Sequence, residues 1–189
     1  MTTHYANRSM LRNSSSRFGK ITITIHWISA VVIIAQFCFG LYMLSLDYYD
    51  PNYHVLPHYH KSIGILFGGL LAFRIIWTLI NPSPQAAPGV KPWEHRAAKT
   101  AQVLMLVLLV VVVTLGYLIS TADGKPIDVF NWFEVPATIT SIEDQEDVAG
   151  EWHYWFALSV IVIASVHAFA ALKHHFLSKD ITLLRMLGK

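Results

Sequence analysis

Long uncharged runs alternate with short polar stretches along the chain. The first run, Ile21 to Leu46, holds 26 residues between Lys20 and Asp47. A bilayer core about 30 Å thick is crossed by roughly 20 apolar residues in a helix, so this run predicts a span over about 21–46. Arg8, Arg12, Arg17 and Lys20 precede it as in a signal peptide. It is, however, far longer than the roughly 7–15-residue apolar core of such a signal, and no small-residue cleavage site follows. A second span is predicted over 58–80, from His58 to Ile80 with Arg74 inside it. It closes at Asn81 to Pro92, whose prolines cannot continue a helix. A third is predicted over 97–120, around the uncharged run Ala101 to Ser120, whose Val103 to Val113 centre is too long for a strand. A fourth, over 151–175, is uncharged from Trp152 to Leu172. The expected fold class is all-α, an integral membrane four-helix bundle. Its parts are an N-terminal tail over 1–20, with Met1 to Ser16 polar and mobile, a four-helix domain over 21–178, and a C-terminal tail over 179–189. The one long connection is Thr121 to Gly150.

Composition removes several alternatives. The chain is 54% hydrophobic and 14% charged, against about 25% charged in average soluble proteins, which argues against a soluble enzyme. A net charge of +2 gives no reason to expect nucleic acid. The single cysteine, Cys38, excludes an intramolecular disulfide, a Cys-rich zinc site and the two-cysteine attachment of c-type haem. Orientation follows from the basic residues. One side would hold Arg8, Arg12, Arg17, Lys20, Arg74, Lys91, Arg96, Lys99, Lys173, Lys179, Arg185 and Lys189, and the other only Lys61 and Lys125. Both termini are therefore expected in the cytoplasm. The loop between spans three and four carries Asp123, Asp128, Glu134, Glu143, Asp144, Glu146, Asp147 and Glu151, which makes the outer face acidic.

Ten histidines are an unusual supply for so apolar a chain. Ionisable residues at membrane depth are costly and point to function, and His26, His60, His153 and His167 lie at such depth. His26 stands six residues past Lys20 and His167 six before Lys173, about 9 Å of helix in each case. His60 and His153 begin their helices on the outer side. Two pairs at two depths result. His153 and His167 are 14 residues apart, within about 40° of four whole turns and about 21 Å along the axis. A stacked pair of bis-histidine haems needs this arrangement, each iron taking imidazoles from facing helices. His26 with His167 would hold an inner haem, and His60 with His153 an outer one. For a single histidine, a packing role with a carbonyl partner is as good a reading; the matched depths favour the haem.

Gly64 and Gly68 continue the face of His60 and leave room for a flat ring, although small-xxx-small spacing also marks ordinary helix packing. Arg74 either snorkels to headgroups or pairs with a carboxylate such as a haem propionate. Thr24, Ser29, Ser62 and Ser165 are hydroxyls near the histidines. Trp27, Trp77, Trp93, Trp152 and Trp155 read mainly as interfacial anchors. His58 points about 160° away from His60, His54 and His58 belong to the outer loop, His95 to the inner connection, and His4 to the tail. His174 and His175, beside Lys173, are the substitutes for His167 as an inner ligand.

These residues resemble the bacterial cytochrome b561 family, small four-helix membrane cytochromes with two b-type haems. The resemblance runs from Arg17 to Leu187. It rests on Ile25-His26-Trp27, on His60-Lys61-Ser62-Ile63-Gly64-Ile65, on Arg74, and on Gly124-Lys125-Pro126-Ile127 with Phe130, Trp132, Phe133 and Pro136. It continues through Trp152-His153, His167-Ala168 and the closing Asp180, Thr182, Leu183, Leu184, Arg185 and Met186. The resemblance implies that His26, His60, His153 and His167 are haem ligands, that two haem b are bound, and that electrons exchange with the quinone pool of the bacterial inner membrane, with ubiquinone as a candidate substrate. Gln102 departs from the pattern, since many relatives carry histidine there. Some relatives oxidise superoxide at the outer haem, and an acidic outer loop would slow the encounter with that anion.

The leading expectation is a transmembrane electron conduit between a periplasmic redox protein and membrane quinone. A second is the cytochrome b anchor of a larger dehydrogenase, docking through Ile127 to Val135 and the acids that follow. A third, of another class, is a histidine-lined metal or proton transporter. That reading needs polar residues between the two levels, whereas Ile28 to Gln36 and Ala157 to Ala164 are nearly all apolar.

Overall fold

The computed structural model describes residues 10–189; the first nine residues of the expected tail, with His4 and Arg8, lie outside the described residues. Among the described residues four helices are long and apolar enough to cross a membrane: α1 (Lys20–Leu44), α2 (Val55–Ile80), α3 (Pro92–Thr121) and α4 (Gln145–Lys173). Their outward faces are apolar and open, with Val31, Ile34, Leu79, Val103 and Phe169 among the exposed side chains, as lipid requires. Helix α3 starts well before its uncharged run because Pro92 stands in its first turn and Glu94 Oε2 accepts the Lys91 N–H at 3.1 Å. Helix α4 begins at Gln145, before Glu151, with Glu146 and Asp147 in its first turn, where carboxylates meet the positive end of the helix dipole.

The inward faces share a seven-residue register. On α1 it passes through His26, Ile33 and Gly40, on α2 through His60, Phe67 and Arg74, and on α4 through His153, Val160 and His167. A repeat of seven is the signature of left-handed bundle packing. Phe67, Leu71, Leu109 and Val160 form the buried centre, joined by Val32, Ile33, Leu70, Leu106, Leu108 and Val113. This apolar layer lies between the two histidine levels.

The long outer connection is not plain loop. It contains an antiparallel hairpin of β1 (Ile127–Val129) and β2 (Phe133–Val135), pairing Ile127 with Val135, Asp128 with Glu134 and Val129 with Phe133. Phe130 and Asn131 take positive φ at the turn, the geometry that matches strand twist in tight hairpins. Ile127 and Val129 are buried. Ser62, wholly buried on α2, fastens the turn: its Oγ donates to the Asp128 carbonyl at 3.3 Å and accepts the Phe130 N–H at 3.1 Å.

The opposite end is also tied. Asn13 Oδ1 accepts the Gly19 N–H and the Thr22 hydroxyl, and Thr22 Oγ1 accepts Trp77 Nε1–H at 3.0 Å. After α4 the chain makes a π-helical turn, His174–Ser178, and then α5 (Thr182–Met186). Trp27 Nε1 donates to the Met186 carbonyl at 2.8 Å, and Arg185 donates to the Gln85 carbonyl at 2.8 Å. The segment expected as a tail is thus folded back on α1 and on the second connection.

Candidate functional site

At the outer level, α2 and α4 bring His60 and His153 opposite each other across the bundle, with ring centres 6.3 Å apart and ring planes inclined by 71°. Both rings are half-buried. His153 Nδ1–H donates to the Val112 carbonyl of α3 at 2.9 Å. A carbonyl only accepts, so the proton sits on Nδ1 and Nε2 keeps its lone pair. His60 Nδ1 is buried without a partner.

Two glycines border these rings. A Cβ on Gly116 would stand 3.2 Å from His153 Cε1, and one on Gly40 would stand 3.8 Å from His60 Cε1. Neither position was singled out in the sequence. Of the two that were, a Cβ on Gly64 would stand 3.8 Å from the Gln36 amide, and one on Gly68 would stand 3.1 Å from Val113, the latter being the ordinary helix-packing use. A cavity of about 860 Å³ opens around the pair and reaches both imidazoles, Gln36, Gly40, Gly64 and Gly116. That lies within the roughly 300–1,000 Å³ typical of ligand pockets.

At the inner level, α1, α2 and α4 bring His26, Arg74 and His167 within electrostatic reach of one another. Among the described residues no carboxylate pairs with Arg74. Ser29, three residues beyond His26, is buried with an unpartnered hydroxyl. The remaining hydroxyls are occupied or remote: Ser165 bonds the Ile161 carbonyl of its own helix, Ser62 holds the hairpin, and Thr24 is exposed. Gln102 is exposed on α3.

The other histidines have separate company. His58 Nδ1 lies 3.6 Å from Asp128 of the hairpin, and His174 Nδ1 lies 2.5 Å from Asp180 Oδ2. The Asp180 carboxyl also accepts the Thr182 N–H at 2.8 Å, so this pair closes the turn into α5.

A sequence profile of the family described as prokaryotic cytochrome b561 matches residues 17–189. The chain belongs to this family. Cytochrome b561 homolog 2 of Escherichia coli (strain K12) is 48% identical over 177 residues, 94% of each chain. Cytochrome b561 homolog 1 of the same organism is 25% identical over 92% of this chain and 98% of its own. A protein of Yersinia pestis named "Probable superoxide oxidase CybB" is 28% identical over 92% of this chain and 97% of its own. As a cytochrome b561 family member the chain is a multi-pass membrane electron-transfer protein, and the family binds haem b.

Sequence reasoning missed Gln36, Gly40, Gly116 and the Val112 carbonyl. Gln36 had a signal available, as the one amide side chain in Ile21 to Leu46. The Val112 carbonyl had none, because a backbone acceptor leaves no mark in the residue code.

Proposed function

We propose that this chain is a di-haem b conduit that passes single electrons between the outer face of the bacterial inner membrane and its quinone pool, with both termini in the cytoplasm. His60 and His153 would hold an outer haem, and His26 and His167 an inner one. Arg74 supplies a guanidinium for an inner propionate. The carrying observation is the spacing of the outer pair. Imidazoles on opposite sides of one metal have ring centres roughly 6 Å apart, with about 2.0 Å per metal–nitrogen bond and roughly 1.1 Å more to each centre. The rings stand at 6.3 Å. The free Nε2 of His153, the bare faces of Gly40 and Gly116 and the adjoining cavity fit the same group.

When bound, haem iron cycles between ferric and ferrous states and supplies one-electron chemistry. The chain contributes position and surroundings. With two imidazoles holding each iron, no position would be left for oxygen activation, which favours outer-sphere transfer. The layer of Ile33, Phe67, Leu109 and Val160 keeps charge and water from following the electron between levels. The outer carboxylates repel anions, which favours a protein or neutral quinol over superoxide at that face, although one relative bears a superoxide oxidase name.

The test is spectroscopic. The full chain, purified alone in detergent and mixed anaerobically with ubiquinol, is expected to develop the reduced b-type alpha band. A band that appears with dithionite but not with quinol removes the quinone link. No band with either reductant removes the cytochrome reading, and failure of the chain to hold haem without a companion subunit favours a dehydrogenase anchor.

A further inference from the structure

The two outer imidazoles are held unequally. His153 has its Nδ1–H on the Val112 carbonyl, while His60 Nδ1 is buried with no partner. A buried donor left unpaired costs about 1–3 kcal/mol, and histidines that bind metals almost always donate their second N–H to an acceptor. An unused acceptor stands on the helix against which this ring packs. Gln36 Nε2 donates to the main-chain carbonyl of His60 at 2.9 Å, and Gln36 Oε1 is buried without a partner. One turn further along α1, Gly40 lies beside His60 Cε1, the carbon between the two ring nitrogens. Two buried polar atoms without partners, one on each helix, therefore lie where α1 and α2 pack together. Gly64 of α2 borders the amide, where a Cβ would stand 3.8 Å from Gln36 Nε2.

We propose that Gln36 is the positioning residue of His60, its Oε1 accepting the Nδ1–H once Nε2 is given to iron; this rests on the di-haem reading above. The proposal requires the amide to turn about its terminal torsion, which is broad and shallow. The His60 carbonyl keeps its place in the hydrogen-bonding of α2. Gln36 then does for His60 what Val112 does for His153: it fixes the tautomer and the ring plane and makes the imidazole a stronger donor to ferric iron.

Potentiometric titration of the haem-loaded full chain tests this with two variants. Gln36→Met keeps the volume and removes both amide functions. Gln36→Glu keeps an acceptor oxygen and removes the N–H donor. Gln36→Met is expected to shift the outer ferric-to-ferrous ratio about tenfold toward ferrous, a rise of 59 mV for a one-electron couple, and to leave the inner couple in place. Gln36→Glu is expected at or below the wild-type potential. An unmoved outer couple in Gln36→Met, or equal rises in both variants, would overturn the assignment, the latter by placing the effect in the Nε2 bond to the His60 carbonyl. Should the variants lose haem, the reduced-minus-oxidised infrared spectrum of the wild type decides, since a free imidazole N–H on one outer ligand contradicts the proposal. His60→Ala separates the layers. Retention of both haems there sinks the assignment of His60 as a ligand, on which the proposal rests, whereas loss of one with no response to Gln36→Met sinks the Gln36 role alone.

Discussion

The two histidine levels differ in what surrounds them. The outer pair is walled by backbone and missing side chains: the Val112 carbonyl, Gly40 and Gly116, with the hairpin fastened above by Ser62. The inner pair has a cation in the bundle, Arg74, and a folded-back C-terminal helix beneath. In the proposed reading the outer level is tuned by shape and by hydrogen bonds to neutral groups, and the inner one by charge. That difference gives a thermodynamic direction to two otherwise similar ligand pairs, because positive charge favours ferrous iron.

The strongest perturbation of the outer level alone is Gly116→Val. Its Cβ would press on His153 Cε1 at 3.2 Å, and overpacking of this kind costs about 1–3 kcal/mol, roughly ten- to hundredfold in haem retention. Spectra should show loss of one haem and an unchanged inner couple; equal loss of both would erase the contrast between levels. Next is Arg74→Gln. Removing the cation stabilises ferric iron, so the inner midpoint should fall by about 59 mV for a tenfold change in ratio, with the outer one fixed. A fall at the outer level instead would reverse the assignment of levels.

Ser62→Ala sharpens the picture of the hairpin. Losing a buried hydroxyl that bridges Asp128 and Phe130 costs about 1–3 kcal/mol, and hydrogen exchange over 127–135 should accelerate while α1 stays protected. The smallest effect concerns the fold-back. Burial alone would raise the Asp180 carboxyl, but hydrogen bonds from Thr182 and His174 outweigh it and hold the group below its ordinary value of 3.8. Its contribution to docking of α5 is therefore full above that ordinary value and is lost as pH falls through the lower folded one. Proteolysis after Lys179 should accelerate only in strong acid in the wild type and already at neutral pH in Asp180→Asn.

Much of this architecture was legible because membrane physics writes it in runs of residues. The helices of the bundle follow from uncharged stretches such as Ile21 to Leu46, and the family from motifs such as His60 to Ile65. The 14-residue spacing of His153 and His167 placed both on one face of α4. What stayed hidden depends on partners from other helices. Gly40 and Gly116 matter because of rings on α2 and α4, and nothing in the sequence singles them out. The hairpin at Ile127 to Val135 is built on non-glycine residues in left-handed turn positions, against local preference, and holds because Ile127, Val129 and Ser62 are buried together. The fold-back at His174 needs Asp180, whose role as the acceptor for that imidazole is visible only once the π turn brings the two together.

The haem-to-polypeptide ratio of the full chain, read by pyridine haemochrome in the wild type and in His153→Ala and His167→Ala, bears on both levels at once. The expected values are two, one and one, with the two variants keeping spectrally different haems. A ratio of one in the wild type, or the same surviving haem in both variants, would contradict ligation by an outer and an inner pair.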